Sequence, residues 1–393
     1  MFIEILLAIL LGVLSGTITG LIPGIHVNLV SVIIISASGI LLKFTGVEPL
    51  VAFIVALALT HTFLDTIPSI FLGAPDETAL SVLPGHAMLL EGKGLEAVKL
   101  TVIGSLAGLA VSGVLFVLLE KFLALIYPIL NQIIAELLIL VIIFMLKKST
   151  DKKRTFVLIA LSGILGVVVL NSRTENSLFP LLTGFFGTAT LLFSLKEKNK
   201  IPKQTKSTIT EVNKKSIPSI ILGTLSGFMT AFLPGLGASS AAAISSTVKK
   251  DNDKKNFLLM IGAISTVNFF MSIAALNAIN KARNGAIIAI QQLSKSPDVV
   301  LMIFSSLIAG GVAVLIALFV SKRFLKIFEK INYRITVKST ILFLIILTII
   351  LSGFQGIFIL FISTLIGLYA NWKGLSRNTM MSCIMIPVMI YFL

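Results

Sequence analysis

The sequence predicts an all-α protein that crosses a membrane many times. Of its 393 residues, 56% are hydrophobic and 12% are charged, whereas a soluble globular chain carries about 25% charged residues. Apolar runs such as 100–119 and 122–146 approach or exceed the roughly 20 residues that cross a bilayer as a helix. The runs are continuously apolar rather than alternating, which favours helices over a β-barrel. We therefore predict a polytopic integral membrane protein.

The basic residues are concentrated in a few loops between the apolar runs. The net charge is +15, and the basic clusters lie at 147–154, 196–215, 249–255 and 321–338. Lys and Arg accumulate in the cytoplasmic loops of membrane proteins. Because no fold that reads bases is visible, the pattern favours a cell-membrane protein with cytoplasmic basic loops over a nucleic-acid-binding protein.

Residues near the two ends of the chain argue against a cysteine-based site and against a cleaved signal peptide. Cys383 is the single cysteine, which excludes a disulfide framework and a cysteine metal cluster. The N-terminal run MFIEILLAILLGVLSG resembles a signal-peptide core, but it lacks a basic start and contains Glu4. We therefore expect this run to be part of the mature protein.

A long polar stretch divides the chain nearly in half. It covers residues 196–216, between the apolar segments 1–195 and 217–393. We predict that residues 1–195 form a first transmembrane repeat, 196–216 a basic cytoplasmic linker, and 217–393 a second repeat.

Charge at matching loops predicts that the two repeats have opposite orientations. The basic loop 249–255 corresponds to the near-neutral loop 43–48, and the basic loop 147–154 corresponds to the uncharged loop 351–356. If basic loops are cytoplasmic, the second repeat is inverted relative to the first. Inverted-topology repeats are typical of secondary transporters.

One helix-breaking phrase occurs near the start of both halves. LGVLSGTITGLIPG at 11–24 and LGTLSGFMTAFLPG at 222–235 share eight of fourteen residues. We predict that each repeat contains this Pro-Gly broken helical hairpin, re-entrant or fully spanning, plus about five spans, with both termini outside.

The Pro-Gly breaks predict a binding site. Pro removes a backbone donor and Gly adds conformational freedom, and the freed polar groups are tolerated in a membrane only where they are buried in protein or line a watery cavity. A helix that restarts after a break aims N–H groups at it, which favours an anion. Two such breaks in opposed halves would meet near the midplane as two half-sites. Plain kinks or turns between spans are the alternative.

The candidate substrate-binding residues lie at and just after the two breaks. The first copy continues with a histidine and an asparagine, and the second with small and hydroxyl residues that suit helix N-caps and ligand donors. Close helix packing is the alternative role for the small residues. The predicted set is Pro23, Gly24, His26, Asn28, Pro234, Gly235, Gly237, Ser239 and Ser240.

A few ionisable residues lie within or beside apolar spans, where such groups are rare and functional by default. His61 and Asp65 are four residues apart in THTFLDTIP, so they share a helix face. We predict that they couple transport to a proton or a sodium ion, the alternative being an interfacial pair at the end of a span.

Two further charged pairs are candidates for binding ions. Asp76 and Glu77 could hold a coupling cation or cap a short helix, and Lys281 and Arg283 could neutralise an anionic substrate or lie in a loop. Each pair is assigned to the site as a hypothesis.

Three segments resemble the large membrane subunit (TctA) family of tripartite tricarboxylate transporters, in a shortened form. GTITGLIPGIH and GFMTAFLPGLG are similar to Gly-x-x-x-Gly-x-x-Pro-Gly-x-Gly phrases of that family. The segment 73–108 resembles a further family segment, with His86 where the family has Tyr. The positions of that segment that match are Pro75, Gly85, Met88, Gly92 and Ala97. The resemblance spans most of the chain and implies a secondary transporter of a small anionic substrate such as a carboxylate.

The chain departs from the family pattern at two places. His26 replaces a usual glycine, and the second-half counterpart of the Pro-rich segment, 277–286, lacks Pro-Gly. Bacterial members of the family are longer and work with a small membrane subunit and a periplasmic binding protein. A separate binding protein is not evident from this sequence, and a homodimer is left open.

The sequence carries no enzyme motif. It has no His-Glu-x-x-His, no Gly-x-Ser-x-Gly elbow with a matching triad, and no phosphate-binding glycine loop. We therefore predict no catalytic residues and no cofactor. The three histidines, His26, His61 and His86, are expected to have structural or coupling roles rather than to bind a metal.

We predict a secondary active transporter that works by alternating access, because an internal inverted repeat suits that mechanism better than a channel with symmetric pore rings. Its partners are a small anionic substrate and membrane lipid. The alternative substrate is an anionic lipid carrier such as a polyprenyl phosphate, which needs a headgroup site open sideways to the bilayer.

Overall fold

The described structure is helical throughout. The computed structural model describes residues 2–22, 27–72, 82–195, 204–205, 213–233, 238, 241–242, 245, 253–282, 284–328 and 333–393. Within these ranges there is no strand, so the predicted all-α class is confirmed.

Eleven α-helices are described in the first half of the chain. A π-helical turn, Thr183–Thr188, joins the last two. The helices are α1 (Phe2–Leu21), α2 (Val27–Leu41), α3 (Val47–Leu64), α4 (Thr66–Leu72), α5 (Val82–Leu90), α6 (Gly94–Val114), α7 (Phe116–Gln132), α8 (Ile134–Lys148), α9 (Lys152–Leu170), α10 (Leu178–Leu182) and α11 (Ala189–Ser194).

The described part of the second half contains six further α-helices. Short 3₁₀ turns, Lys214–Ser216 and Arg377–Met381, precede the first and the last of them. The helices are α12 (Ile217–Phe232), α13 (Lys254–Ile279), α14 (Gly285–Leu293), α15 (Val299–Phe328), α16 (Tyr333–Trp372) and α17 (Ser382–Phe392).

The helices have the dimensions of membrane spans. Among the described residues, seven are long and apolar enough to cross a bilayer, and the pair α7–α8, bent by 79°, makes an eighth if it is one span. α3 continues through Asp65 into α4 as a single 25-residue span, Val47–Phe71. These lengths establish a multi-pass membrane protein.

The core of the molecule is formed by both halves together. The span Val47–Phe71 and α13 are the most buried helices, at 94% and 89% of their most apolar stretches. α1, α6, α12 and α15 pack around them. Because one hydrophobic core contains Phe63 of the first half and Phe270 of the second, the two halves are not separate packing units.

Two pairs of helices, α1 with α3 and α12 with α13, pack in the same register. A Cβ added at Gly12 of α1 would lie 2.9 Å from Cβ of Ala56, and one added at Gly223 of α12 would lie 2.9 Å from Cβ of Ala263. Glycine is required at these points because the neighbouring backbone approaches so closely. The two contacts make Gly12 equivalent to Gly223, and Ala56 equivalent to Ala263.

One turn later in each pair the same correspondence recurs. A Cβ at Gly16 would lie 2.8 Å from Cβ of Thr60, and one at Gly227 would lie 2.8 Å from Cβ of Val267. Contacts therefore advance together along both helices, so the helices of each pair run parallel. α2 connects the parallel helices α1 and α3 through short breaks, and it must run back between them.

The two pairs run in opposite directions. The first pair runs toward the turn between α5 and α6, because Phe71, at the end of its span, lies against Gly94. α13 begins at this same turn: Lys254 Nζ lies 2.5 Å from Glu91 Oε1, and Lys255 Nζ lies 2.7 Å from Glu96 Oε1. This arrangement agrees with the predicted inverted repeat, which stays a prediction for the chain as a whole.

The described part of the linker is attached to the same end of the molecule. Gln204 is 8% exposed; its Nε2 donates to the Leu89 carbonyl at 2.9 Å, and its Oε1 accepts from the Gly94 N–H at 3.0 Å. Thr205 Oγ1 donates to the Gly92 carbonyl at 2.7 Å. Residues 204–205 and the start of α13 therefore lie on one side of the molecule.

A second, smaller bundle packs the remaining helices of both halves. Ser162 of α9 and Ser382 of α17 share a hydrogen bond of 2.6 Å, and Ser363 of α16 donates to the Pro180 carbonyl at 3.1 Å. α16 is kinked at Gly353, whose φ of 61° favours glycine. This bundle lies apart from the candidate site.

Candidate functional site

The first Pro-Gly break lies between two described helices. α1 ends at Leu21, just before the predicted break, and the next described helix, α2, begins at Val27. Pro23, Gly24 and His26 lie outside the described residues.

The second break follows the end of α12. α12 ends at Phe232, and Ser226 of α12 shares a hydrogen bond of 2.6 Å with Ser245. The chain therefore returns to α12 within the interval between these two serines, which contains the Pro-Gly pair.

Close packing at Gly20 places the end of α1 beside the ionisable pair His61 and Asp65. A Cβ at Gly20 would lie 2.7 Å from Cβ of Leu64, 3.1 Å from the His61 carbonyl oxygen and 3.2 Å from the Asp65 nitrogen. Any side chain at Gly20 would push α1 away from α3. The first break therefore begins beside His61 and Asp65.

His61 and Asp65 are enclosed by protein within the span Val47–Phe71. Their exposed fractions are 4% and 3%, so neighbouring helices cover both side chains. The Asp65 N–H donates to the His61 carbonyl at 3.0 Å, so the two residues occupy successive turns on one face, as predicted.

Hydroxyl groups surround this pair. His61 Nδ1 and Thr19 Oγ1 share a hydrogen bond of 3.0 Å, and Thr19 Oγ1 also lies 3.1 Å from the Gly16 carbonyl. Ser69 Oγ donates to the Asp65 carbonyl at 2.9 Å. The imidazole is therefore connected directly to the last turn of α1, before the break.

The adjacent face of the same span contacts the other half of the molecule. Thr62 Oγ1 and Thr266 Oγ1 share a hydrogen bond of 3.1 Å, which joins α3 to α13 at the middle of both spans. One turn later Thr101 of α6 donates to Thr66 at 3.3 Å. Polar side chains from three innermost helices are thus assembled inside the core.

Packing identifies the counterparts of the ionisable pair in the second half. The correspondence of Ala56 with Ala263 and of Thr60 with Val267 makes Asn268 equivalent to His61 and Ser272 equivalent to Asp65. Alignment of THTFLDTI with TVNFFMSI is displaced from this register by one residue. One residue turns a helix by about 100°, so only the packing shows that both counterparts are polar.

The last turn of α12 repeats that of α1. Thr230 Oγ1 donates to the Gly227 carbonyl at 2.9 Å, as Thr19 does to Gly16. Thr19 and Thr230 occupy the same column of the repeated phrase, which is the signal that could have identified them as site residues.

The remaining predicted residues are only partly placed. The backbone of Asn28 lies in the first turn of α2, and its side chain is outside the described part. Lys281 is exposed in the turn after α13, away from the core. His86 Nδ1 lies 3.1 Å from the Ile70 carbonyl oxygen. Outside the described residues lie Asp76, Glu77, Pro234, Gly235, Gly237, Ser239, Ser240 and Arg283.

The described residues do not form a metal-binding cluster. Across the described ranges, no group of three or more His, Cys, Asp or Glu side chains could hold a metal ion. The site built by the described residues is therefore a set of hydroxyls, one histidine and one carboxylate beside the first break, with a neutral counterpart beside the second.

Comparison with known proteins gives two matches. The tripartite tricarboxylate transporter TctA family matches residues 6–382. An uncharacterised protein of Methanocaldococcus jannaschii is 33% identical over 382 residues, which cover 94% of each chain. No solved structure matches this chain.

Proposed function

The chain belongs to the tripartite tricarboxylate transporter TctA family, and from this premise we propose that it is a secondary active transporter of a small carboxylate. Membership of the family makes it the membrane component of a transporter. The observation that carries the finer proposal is the burial of His61 and Asp65 within a membrane span, beside the end of α1.

We assign substrate binding to the space between the two Pro-Gly breaks. The two Pro-Gly pairs follow the last turns of α1 and α12 in the sequence, and these turns hold equivalent threonines, Thr19 and Thr230. Backbone N–H groups at restarting helices favour a carboxylate. The central crossing of α3 and α13 at Thr62 and Thr266 supports a site shared by both halves.

Coupling follows from electrostatics. A carboxylate at Asp65, 3% exposed, is costly as an anion inside the membrane. An anionic substrate bound near it would be repelled unless Asp65 had taken up a proton or a sodium ion. The two binding events therefore favour each other, and this reciprocal coupling lets an ion gradient drive accumulation.

Binding to the purified chain tests the proposal independently of partner subunits. The thermal unfolding midpoint is measured with citrate, succinate or a polyprenyl phosphate, with sulfate at equal ionic strength as the control. A carboxylate at a concentration 100 times its Kd should stabilise the native state by about 2.7 kcal/mol. The effect should increase at lower pH or with added sodium.

Two results would overturn the proposal. If only the polyprenyl phosphate stabilises the protein, the substrate is the anionic lipid and the carboxylate assignment is wrong. If neither class shifts the midpoint beyond the sulfate control, the proposed site does not bind an anion.

A further inference from the structure

Asn268 is an accessible polar residue within an otherwise buried stretch of α13. Every other residue of α13 from Leu258 to Leu276 is buried, whereas Asn268 is partly exposed. Its counterpart in the first pair, His61, is 4% exposed. The side chain of Asn268 is therefore accessible at the centre of an otherwise buried span.

The Asn268 amide lacks a partner among the residues that the structure describes. Only its backbone carbonyl is engaged, by Ser272 Oγ at 2.7 Å, and no hydrogen bond of its side chain occurs within the described ranges. Buried or membrane-embedded amides normally find partners. An accessible amide that has no partner in the described residues therefore points to a ligand.

The two pairs differ in the hydrogen bond made at this position. His61 shares a hydrogen bond with Thr19 Oγ1 and is 4% exposed. Asn268 is partly exposed, and no hydrogen bond of its side chain to the equivalent Thr230 occurs within the described ranges. The second pair therefore lacks the side-chain contact that engages His61 in the first.

We propose that the side-chain amide of Asn268 binds a carboxylate group of the substrate. This inference rests on the proposed function and deepens it: the second helix pair binds the substrate, and the first pair binds the coupling ion. An amide N–H donates to a carboxylate oxygen without placing a second charge in the membrane. A neutral residue at this position lets substrate be bound and released, while Asp65 carries the ion.

The test measures carboxylate binding by variants of the purified full-length chain. Asn268→Ala removes the donor and should weaken binding about tenfold, which corresponds to about 1.4 kcal/mol. Asn268→Asp places a negative charge against the anion and should weaken binding further, with recovery as the pH is lowered and the new carboxyl group is protonated. Asn277→Ala, an exposed asparagine on the same helix, is the matched control and should bind as the wild type does.

A second readout distinguishes substrate binding from coupling. In liposomes, Asn268→Ala should raise KM while the accumulation that a gradient drives at saturating substrate persists. If the alanine variant fails to fold, Asn268→Ser replaces it in these measurements. The unfolding midpoint without ligand shows whether each variant is folded.

The outcomes separate the two proposals. If the wild type binds citrate or succinate and both Asn268→Ala and Asn268→Asp bind it equally well, this inference is wrong and the proposed function stands. If the wild type binds no carboxylate, the proposed function fails and the role of Asn268 fails with it.

Discussion

The helix pairs α1–α3 and α12–α13 share a backbone frame and differ in their polar content. Glycines at equivalent positions bring the helices together in the same register, and equivalent threonines end α1 and α12. Where the first pair holds His61 and Asp65, the second holds Asn268 and Ser272. The frame is thus repeated, while at these two core positions only the first copy has ionisable side chains. The difference teaches that repeated structure does not imply repeated function within this chain.

The largest expected effect comes from removing the charge that only the first pair carries. Asp65→Asn should abolish accumulation driven by a proton or sodium gradient, because the neutral amide can no longer exchange the ion. Binding of the carboxylate to purified protein should persist but lose its dependence on pH or sodium. Uptake into liposomes and thermal shifts measure the two properties.

The matched control for this prediction is Ser272→Asn at the equivalent position of α13. It should leave gradient dependence intact. Accumulation that is unchanged in Asp65→Asn would remove Asp65 from the coupling mechanism and leave it a structural role.

Because the two helix pairs run in opposite directions, cysteines placed before α3 and before α13 should be labelled from opposite sides of the membrane. Lys43 precedes α3, and Asn252 precedes α13. In a Cys383→Ser background, Lys43→Cys should react with an impermeant thiol reagent added outside intact cells. Asn252→Cys should react only after the membrane is opened. Equal labelling of both from outside would contradict the inverted arrangement.

The polar residues that follow the two breaks should each contribute to binding. Asn28→Ala combined with Ser239→Ala should weaken carboxylate binding about tenfold or more, since each lost hydrogen bond to a charged group costs roughly 1.5–3 kcal/mol. Isothermal titration measures the affinity. An affinity equal to that of the wild type would remove both residues from the site.

Because the two helix pairs pack in the same register, replacing equivalent glycines by alanine should lower the stability of the protein by similar amounts. Gly16→Ala and Gly227→Ala should each lower stability by about 1–3 kcal/mol, because the added methyl group meets the backbone of the partner helix. Gly39→Ala, where a Cβ meets nothing within 4 Å, is the control and should not destabilise. A penalty in only one pair, measured as the unfolding midpoint in detergent, would show that the frames are not equivalent.

The smallest effect concerns the exposed ion pair that joins the halves. A hydrogen bond from Lys254 holds the pKa of Glu91 below its usual range. Since the pKa of Glu91 is lowered in the folded state, the contribution of the ion pair to stability is present at neutral pH and is lost as the pH falls through this lowered pKa. Both side chains are nearly half exposed, so Glu91→Gln should lower the unfolding midpoint only slightly at pH 7. The same lowering at pH 3 would contradict this assignment.

The sequence by itself determined the class of the protein and the places where its helices break. Long apolar runs cannot be soluble and must satisfy their backbone internally, so they specify membrane helices. Proline and glycine at 23–24 and 234–235 end helices by local chemistry, wherever those helices pack. The glycine contacts of α1 and α12 occur at the same columns of the repeated phrase, because close helix packing needs small residues at helical spacing.

Only the tertiary structure decided which residues face each other. Local sequence placed His61 and Asp65 on one face, but their burial beside Gly20 depends on contacts with a helix distant in sequence. The counterpart of His61 could not be predicted because a shift of one residue in so apolar a sequence changes the paired face by about 100°. The packing of Ala263 and Val267 against α12 fixed that register and showed Asn268 as the accessible amide at the centre of the core.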